Sequence, residues 1–283
     1  MSPLRVRPGA FLPGMVCCLL LSSQSAIAAA QEGGPAATRI TWEVGTPKAG
    51  WCIHFLMEPK TAVQDLARGH RLVLAREATG LPAPVRRLLT DEPQYADWAP
   101  AELCTYIAEA IWVDGRRFDR GDGGHPIAML YWGVSAASTD EGGADSGKMS
   151  LRLLATNSSA VRRAMDVRQV PIDRVQIDVL PVKESDDEEF LLRLEGATIA
   201  FIGHARQDST LTVGERSRTG AYMGNNKSLW TVNFSFHPGE VAAMAGALRI
   251  IGKRGLAKVL DQSPIRLLSP ILSQGRGTVS FDR

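Results

Sequence analysis

The sequence predicts a mainly β (α+β) fold: a curved antiparallel sheet or barrel, a short helix before Pro171 and one longer C-terminal helix. Three observations support this. Stretches with apolar residues at every second position recur along the chain, separated by Gly, Pro, Asn and Asp clusters. Helical spacing is confined to a few short windows. No internal repeat or composition break divides the chain after its leader, so residues 31–283 read as one β-rich domain.

Taken in order, "RITWEV" (Arg39 to Val44) alternates as a strand does, and "GWCIHFLMEP" is an apolar run stopped by Pro59. Residues 61–75 read as a helix, or as a helix running into a strand. "VRRLL" is a brief helical turn, and "DEPQYADWAPAEL" is irregular and rich in turn formers. "CTYIAEAIWVDGRRF" is the clearest strand, with Asp114-Gly115 as a hairpin turn. "HPIAMLYWGVSAAS" and "KMSLRLLAT" are further strands. In "AVRRAMDVRQVPIDRVQIDV", Val161, Ala164 and Met165 keep helical spacing up to Pro171, and Val175, Ile177 and Val179 then alternate. Asn157 or Ser158 would cap that helix. "FLLRLEGATIAFIGHAR", "STLTVGERS" and "SLWTVNFSFHP" continue the β pattern, and "GTVSF" supplies a final strand. Between them, Val241, Met244, Ala245, Leu248 and Ile251 fall on one face of a helix drawn from Gly239 to Leu260.

The N-terminus sets the compartment. Arg5 and Arg7 precede a largely apolar stretch, Phe11 to Leu21, and Ala28-Ala29-Ala30 fits an A-x-A cleavage rule. These three parts make a secretory signal peptide over residues 1–30. The apolar core is short and broken by Pro13 and Gly14, unlike a membrane span. Its removal takes two of the 32 basic residues and leaves 30 against 30 acidic ones. That balance argues against a nucleic-acid partner. No later apolar run is long enough to cross a bilayer as a helix. The composition, rich in Ala and Arg, indicates a bacterial protein, secreted or periplasmic, in which the sequons at Asn157, Asn226 and Asn233 are unused.

Cys17 and Cys18 leave with the leader, so Cys52 and Cys104 remain. An oxidising compartment favours a disulfide between them over two buried thiols. Two cysteines without CxxC spacing make no zinc site, and the five histidines show neither HxH nor HExxH, so no metal is expected. GxSxG is absent, which removes a nucleophile-elbow hydrolase. "GRRFDRGDGGHP" lacks the strand-GxGxxG-helix context and reads as a flexible hairpin loop. "ESDDEE" lacks calcium-loop spacing and reads as a solvated tip. The basic residues Arg249, Lys253, Arg254 and Lys258 read as the solvated side of the expected C-terminal helix.

Glu109 is the candidate site carboxylate. It shares a strand parity with Ile107, Ile111 and Val113, and a carboxylate on an apolar face is costly unless paired. The alternative is that Tyr106 and Trp112 point inward and Glu109 faces water.

Two segments resemble the acetoacetate decarboxylase-like family. "TYIAEAIWVDG" is similar to the family's strand carrying a tyrosine and a glutamate ahead of a hairpin. "SSAVRRAMDVRQVPIDRVQIDV" is similar to its short helix, proline corner and alternating strand. The resemblance implies the fold and a small-molecule pocket over most of residues 31–283. It also exposes departures. The family's imine-forming lysine follows the proline, where this chain has Ile172-Asp173, and the glutamate stands one residue further from the tyrosine, at Glu109. Neither isoleucine nor aspartate forms an imine.

The resulting expectation is an exported protein that binds a small, partly apolar ligand, carboxylates included, with Tyr106, Glu109 and Arg174 as candidate contacts, no cofactor and no lysine-dependent decarboxylation. Two alternatives stand beside it: a periplasmic lyase or hydrolase using Glu109 with an arginine or histidine for acid/base work, and a structural or interaction protein of the cell envelope. Oligomeric state is left open.

Overall fold

The structure, a computed structural model, describes residues 40–44, 47–78, 81, 83–108, 110–139, 148–170, 172–181, 188–194, 197–205, 211–214, 216–223, 229–252, 265–267, 271–274 and 277–282. The expected leader, Glu109 and Pro171 lie outside them.

The chain is mainly β. The first strands are β1 (Ile40–Val44), β2 (Pro47–Met57) and β3 (His70–Leu72), with helix α1 (Pro59–Ala62) between the last two. Helix α2 (Ala83–Asp91) precedes β4 (Ala99–Ala108), β5 (Ile111–Val113), β6 (Arg116–Phe118), β7 (Ile127–Ser138) and β8 (Lys148–Thr156). Helix α3 (Ser159–Val167) leads into β9 (Asp173–Pro181). The remaining strands are β10 (Glu188–Leu194), β11 (Ala197–Ala205), β12 (Leu211–Val213), β13 (Arg216–Met223), β14 (Leu229–Phe236), β15 (Gly239–Gly252), β16 (Ile265–Leu267), β17 (Ile271–Gln274) and β18 (Gly277–Asp282). All belong to one large sheet. It is mixed rather than wholly antiparallel: β8 runs parallel to β13 over residues 148–151 and parallel to β9 at Ala155 and Thr156.

The expected long C-terminal helix is corrected by the structure. Gly239–Gly252 is strand β15, paired along residues 244–252 with β11 and along residues 239–243 with β12 and β17. The spacing of Val241, Met244 and Leu248 suits a helix, but the segment is apolar nearly throughout. Such a run does not distinguish a helix from a strand with long-range partners. The glycines at 239, 246 and 252 weaken a helix, and three ladders supply the backbone bonds instead.

A second correction concerns residues 99–103. "APAEL" is not irregular but the first half of β4. Pro100 is tolerated because only β2 faces it; the ladder with β7 begins one residue later, at Ala101.

The core lies on both faces of β4 and its neighbours. On one face, Ile53, Phe55, Leu103, Leu130 and Trp132 are buried, and Phe55 stacks on Trp132 with ring centroids 5.0 Å apart. On the other, Cys104, Met129 and Tyr131 pack in one cluster with Trp230, Phe234 and Phe281 from β14 and β18. Each such large side chain contributes about 2 kcal/mol by leaving water. With both faces covered, β4 and β7 read as continuous apolar runs.

Candidate functional site

Antiparallel pairing of β2 with β4 sets Cys52 opposite Cys104 and His54 opposite Glu102. The cysteines are bonded, with S–S 2.08 Å and Cα atoms 4.0 Å apart. The expected bridge is therefore present, and it crosses directly between adjacent strands. Two residues along β4, on the same side, lies Glu102.

Glu102 is 3% exposed. A buried carboxylate needs partners, and two neighbouring strands supply them. From β7, the Tyr131 hydroxyl donates to Glu102 Oε1 at 2.9 Å. From β2, His54 Nδ1 lies 3.6 Å from Glu102 Oε2. Tyr131 is registered against Cys104 rather than Glu102, so its phenol reaches the carboxylate diagonally. The residue registered against Glu102 on β7 is Gly133, beside an irregularity in the β7–β8 pairing. Gly133 is required there: a Cβ would lie 2.6 Å from Met149 Cε and 2.9 Å from the Ser150 carbonyl oxygen. The His54 side chain is 31% exposed, so this buried pair reaches water on the imidazole side. An aromatic patch adjoins it. Tyr106 stacks near Tyr131 at 6.1 Å, Tyr131 meets Phe234 at 5.0 Å, and the Tyr106 hydroxyl lies 3.8 Å from Cys52 Sγ. A carboxylate, a phenol and an imidazole in contact can accept, donate and relay protons.

The sequence-predicted contacts fall in different places. Tyr106 borders this cluster and is half-buried. Glu109 lies outside the described residues. The continuous strand that motivated it is interrupted: β4 ends at Ala108 and β5 begins at Ile111, paired with β1 instead of β7. Ala108, Ile111 and Val113 join one core cluster, so the alternation changes face across the break. Arg174 is an exposed side chain at the start of β9, with Nη2 3.3 Å from Asp122 Oδ2. The structure thus brings Tyr106, but not Arg174, to the carboxylate cluster.

Arg174 instead belongs to a clasp around α3. The Ser158 hydroxyl accepts from the Val161 N–H at 3.3 Å and is the N-cap. Asn157 does a different job: its Oδ1 accepts from the Ala128 N–H and its Nδ2 donates to the Pro126 carbonyl, both at 2.8 Å. Asp122, in a short 3-10 turn, accepts from the Ser159 N–H at 2.9 Å and the Ser159 hydroxyl at 2.5 Å. The Ser159 hydroxyl, with Arg174 and Arg162 nearby, holds the Asp122 carboxyl below its ordinary range against the opposing effect of burial. Residues 121–126, expected as a flexible loop, are tied to α3 in this way. At the helix's other end, Gln169 takes a positive φ of 65°, and the Val170 N–H closes on the Met165 carbonyl at 3.1 Å. Ile172 after the corner is 5% exposed and packs in the core, while Asp173 faces water.

Sequence reasoning missed His54 and Glu102 because the latter lay in a stretch read as irregular. The signal was available. If Cys52 and Cys104 face each other on antiparallel strands, His54 must face Glu102. Among the described residues, no group of three or more His, Cys, Asp or Glu could hold a metal ion, and no helix is long and apolar enough to cross a membrane.

No protein-family model and no curated protein sequence matches this chain. Solved structures give a weak resemblance to acetoacetate decarboxylase-like proteins. Acetoacetate decarboxylase from Legionella pneumophila is 8% identical with a TM-score of 0.48, the match covering 92% of each chain. An acetoacetate decarboxylase-like enzyme from Sphingomonas wittichii RW1 is 7% identical with a TM-score of 0.45, over 86% of this chain and 90% of that one. The enduracididine biosynthesis enzyme MppR, complexed with the condensation product of pyruvate and imidazole 4-carboxaldehyde, is 12% identical with a TM-score of 0.44, over 97% and 96%.

Proposed function

We propose that this protein is exported and binds a small, partly apolar ligand at the His54–Glu102–Tyr131 cluster, with Tyr106 on its border, and that it forms no lysine imine. The carrying observation is the buried Glu102 carboxylate. It lies buried beside the disulfide and a patch of aromatic rings, held by a phenol and joined to water through a half-buried histidine. A carboxylate kept in such a place at a desolvation cost is a candidate for recognition or proton handling. Tyr106, Tyr131 and Phe234 supply the apolar border. Export is supported by the three-part N-terminus and by the Cys52–Cys104 bond.

Acid/base enzymology is the second reading, favoured by the facing of His54 Nδ1 and Glu102 Oε2. In place of the expected pairing of Glu109 with an arginine or histidine, it uses Glu102 with His54. The absence of imine chemistry rests on Ile172 and Asp173, which follow Pro171 where the resemblance would put the imine-forming lysine. Borohydride reduction with acetoacetate, followed by intact-mass analysis, should leave the protein unmodified. A stable adduct on any lysine would replace this reading with a covalent enzyme.

A further inference from the structure

We infer that His54 is a proton-accepting group, oriented by Glu102, and that the site therefore engages its ligand through a hydroxyl, an amine or another proton donor rather than through a carboxylate. This rests on the reading that the cluster is the ligand site. An ionised carboxylate only accepts hydrogen bonds, whereas a neutral imidazole donates from one nitrogen and accepts at the other. Glu102 Oε1 already takes the Tyr131 hydroxyl, and Oε2 faces His54 Nδ1. The carboxylate selects the tautomer with the proton on Nδ1, which places the basic lone pair on Nε2. Glu102 is then a positioning residue, and Tyr131 positions Glu102 in turn.

The scaffold suits this task. The three side chains come from adjacent strands β2, β4 and β7, and the His54–Glu102 facing is locked by the disulfide two pairs away in the same ladder. Sites carried on strands keep their geometry better than sites on loops. The pair carries negative charge while the imidazole is neutral, which disfavours an anionic ligand and favours a donor. In the proton step, the ligand's X–H proton moves to Nε2 and X keeps the bonding electron pair. The imidazolium so formed is stabilised by Glu102, and the proton leaves to water from the half-buried ring. The alternative carboxylate grip by Arg174 is not built into this cluster, because Arg174 is paired with Asp122.

Nitrogen-15 labelling of the full chain, with long-range proton–nitrogen correlation and His54→Gln for assignment, reads the tautomer directly. The expected result is a protonated Nδ1 and a bare Nε2 in the wild type. In Glu102→Gln, the Nε2–H form should rise and carbethoxylation of His54 by diethyl pyrocarbonate should slow several-fold, with the exposed His125 as internal reference. A wild type dominated by Nε2–H overturns the inference and needs no variant to fold. Benzylamine, benzyl alcohol and benzoate then test selectivity by calorimetry. Benzoate binding as tightly as the other two overturns the donor preference while leaving the small-molecule reading intact. A bare Nε2 with none of the three bound counts against the small-molecule reading and leaves the tautomer assignment standing.

Discussion

Glu102 and Asp122 are each held by a hydroxyl and a nitrogenous side chain, yet the two carboxylates do different work. Asp122 is partly exposed, and its oxygens are taken up by the Ser159 N–H, the Ser159 hydroxyl and Arg174. Its partners are serine and arginine, which donate hydrogen bonds to it, and its effect is to tie a turn to a helix. Glu102 is buried, and its partners are a phenol and an imidazole. An imidazole can both donate and accept a proton. The comparison teaches that a carboxylate cluster earns a functional reading from what its partners can do with a proton, and from burial that makes the arrangement costly, rather than from the number of its hydrogen bonds.

The sharpest way to break the comparison is at Gly133. Gly133→Ala forces a methyl against Met149 and the Ser150 carbonyl beside Glu102. It should lower stability by about 3 kcal/mol in urea titration. A loss under about 1 kcal/mol would show that this part of the sheet relaxes, and that the Glu102 environment is not rigid. Next comes Tyr131→Phe, which removes the hydroxyl from Glu102. It should cost about 2 kcal/mol, because the buried carboxylate loses a donor that water cannot replace. A neutral result in equilibrium unfolding would make Glu102 solvent-reachable in solution.

The smallest effect belongs to the clasp. Asp122→Asn should cost about 1 kcal/mol at neutral pH, in the range of a helix-capping contact. The sign of its pH dependence follows from the depressed pKa. The native carboxyl titrates below its unfolded value, so its contribution is fully present above the unfolded pKa and fades as pH falls through the native one. Wild type and Asp122→Asn should therefore converge in stability as the pH is lowered through the acid range. A difference that persists at the lowest pH would assign the effect to lost shape rather than lost charge.

Much of the strand pattern was legible from sequence because alternation and turn chemistry agreed. Asp114-Gly115 is a tight hairpin with φ values of 49° and 76°, and Ser158 caps α3. The failures have physical causes. β15 draws its order from β11, β12 and β17, partners distant in sequence that no local window contains. The stretch read as one strand is divided between Ala108 and Ile111 because the chain changes strand partners there, and alternation counts parity only within one ladder. Of the candidate site, Tyr106 was legible as a strand aromatic, whereas Glu102 was hidden by the prolines at 93 and 100.

Strand β1 lies antiparallel to β18, with Ile40 against Phe281 and Val44 against Gly277. This ladder joins segments at opposite ends of the described chain, and loop-closure entropy makes such contacts late and slow to form. On a ribosome, residues 40–44 emerge long before their partner exists. Until residue 282 has been made, β1 and the neighbouring edge of β14 lack their shared strand. The β1 edge therefore stays open while residues 45–276 are made, which is a vulnerability to intermolecular pairing that a holding chaperone would relieve.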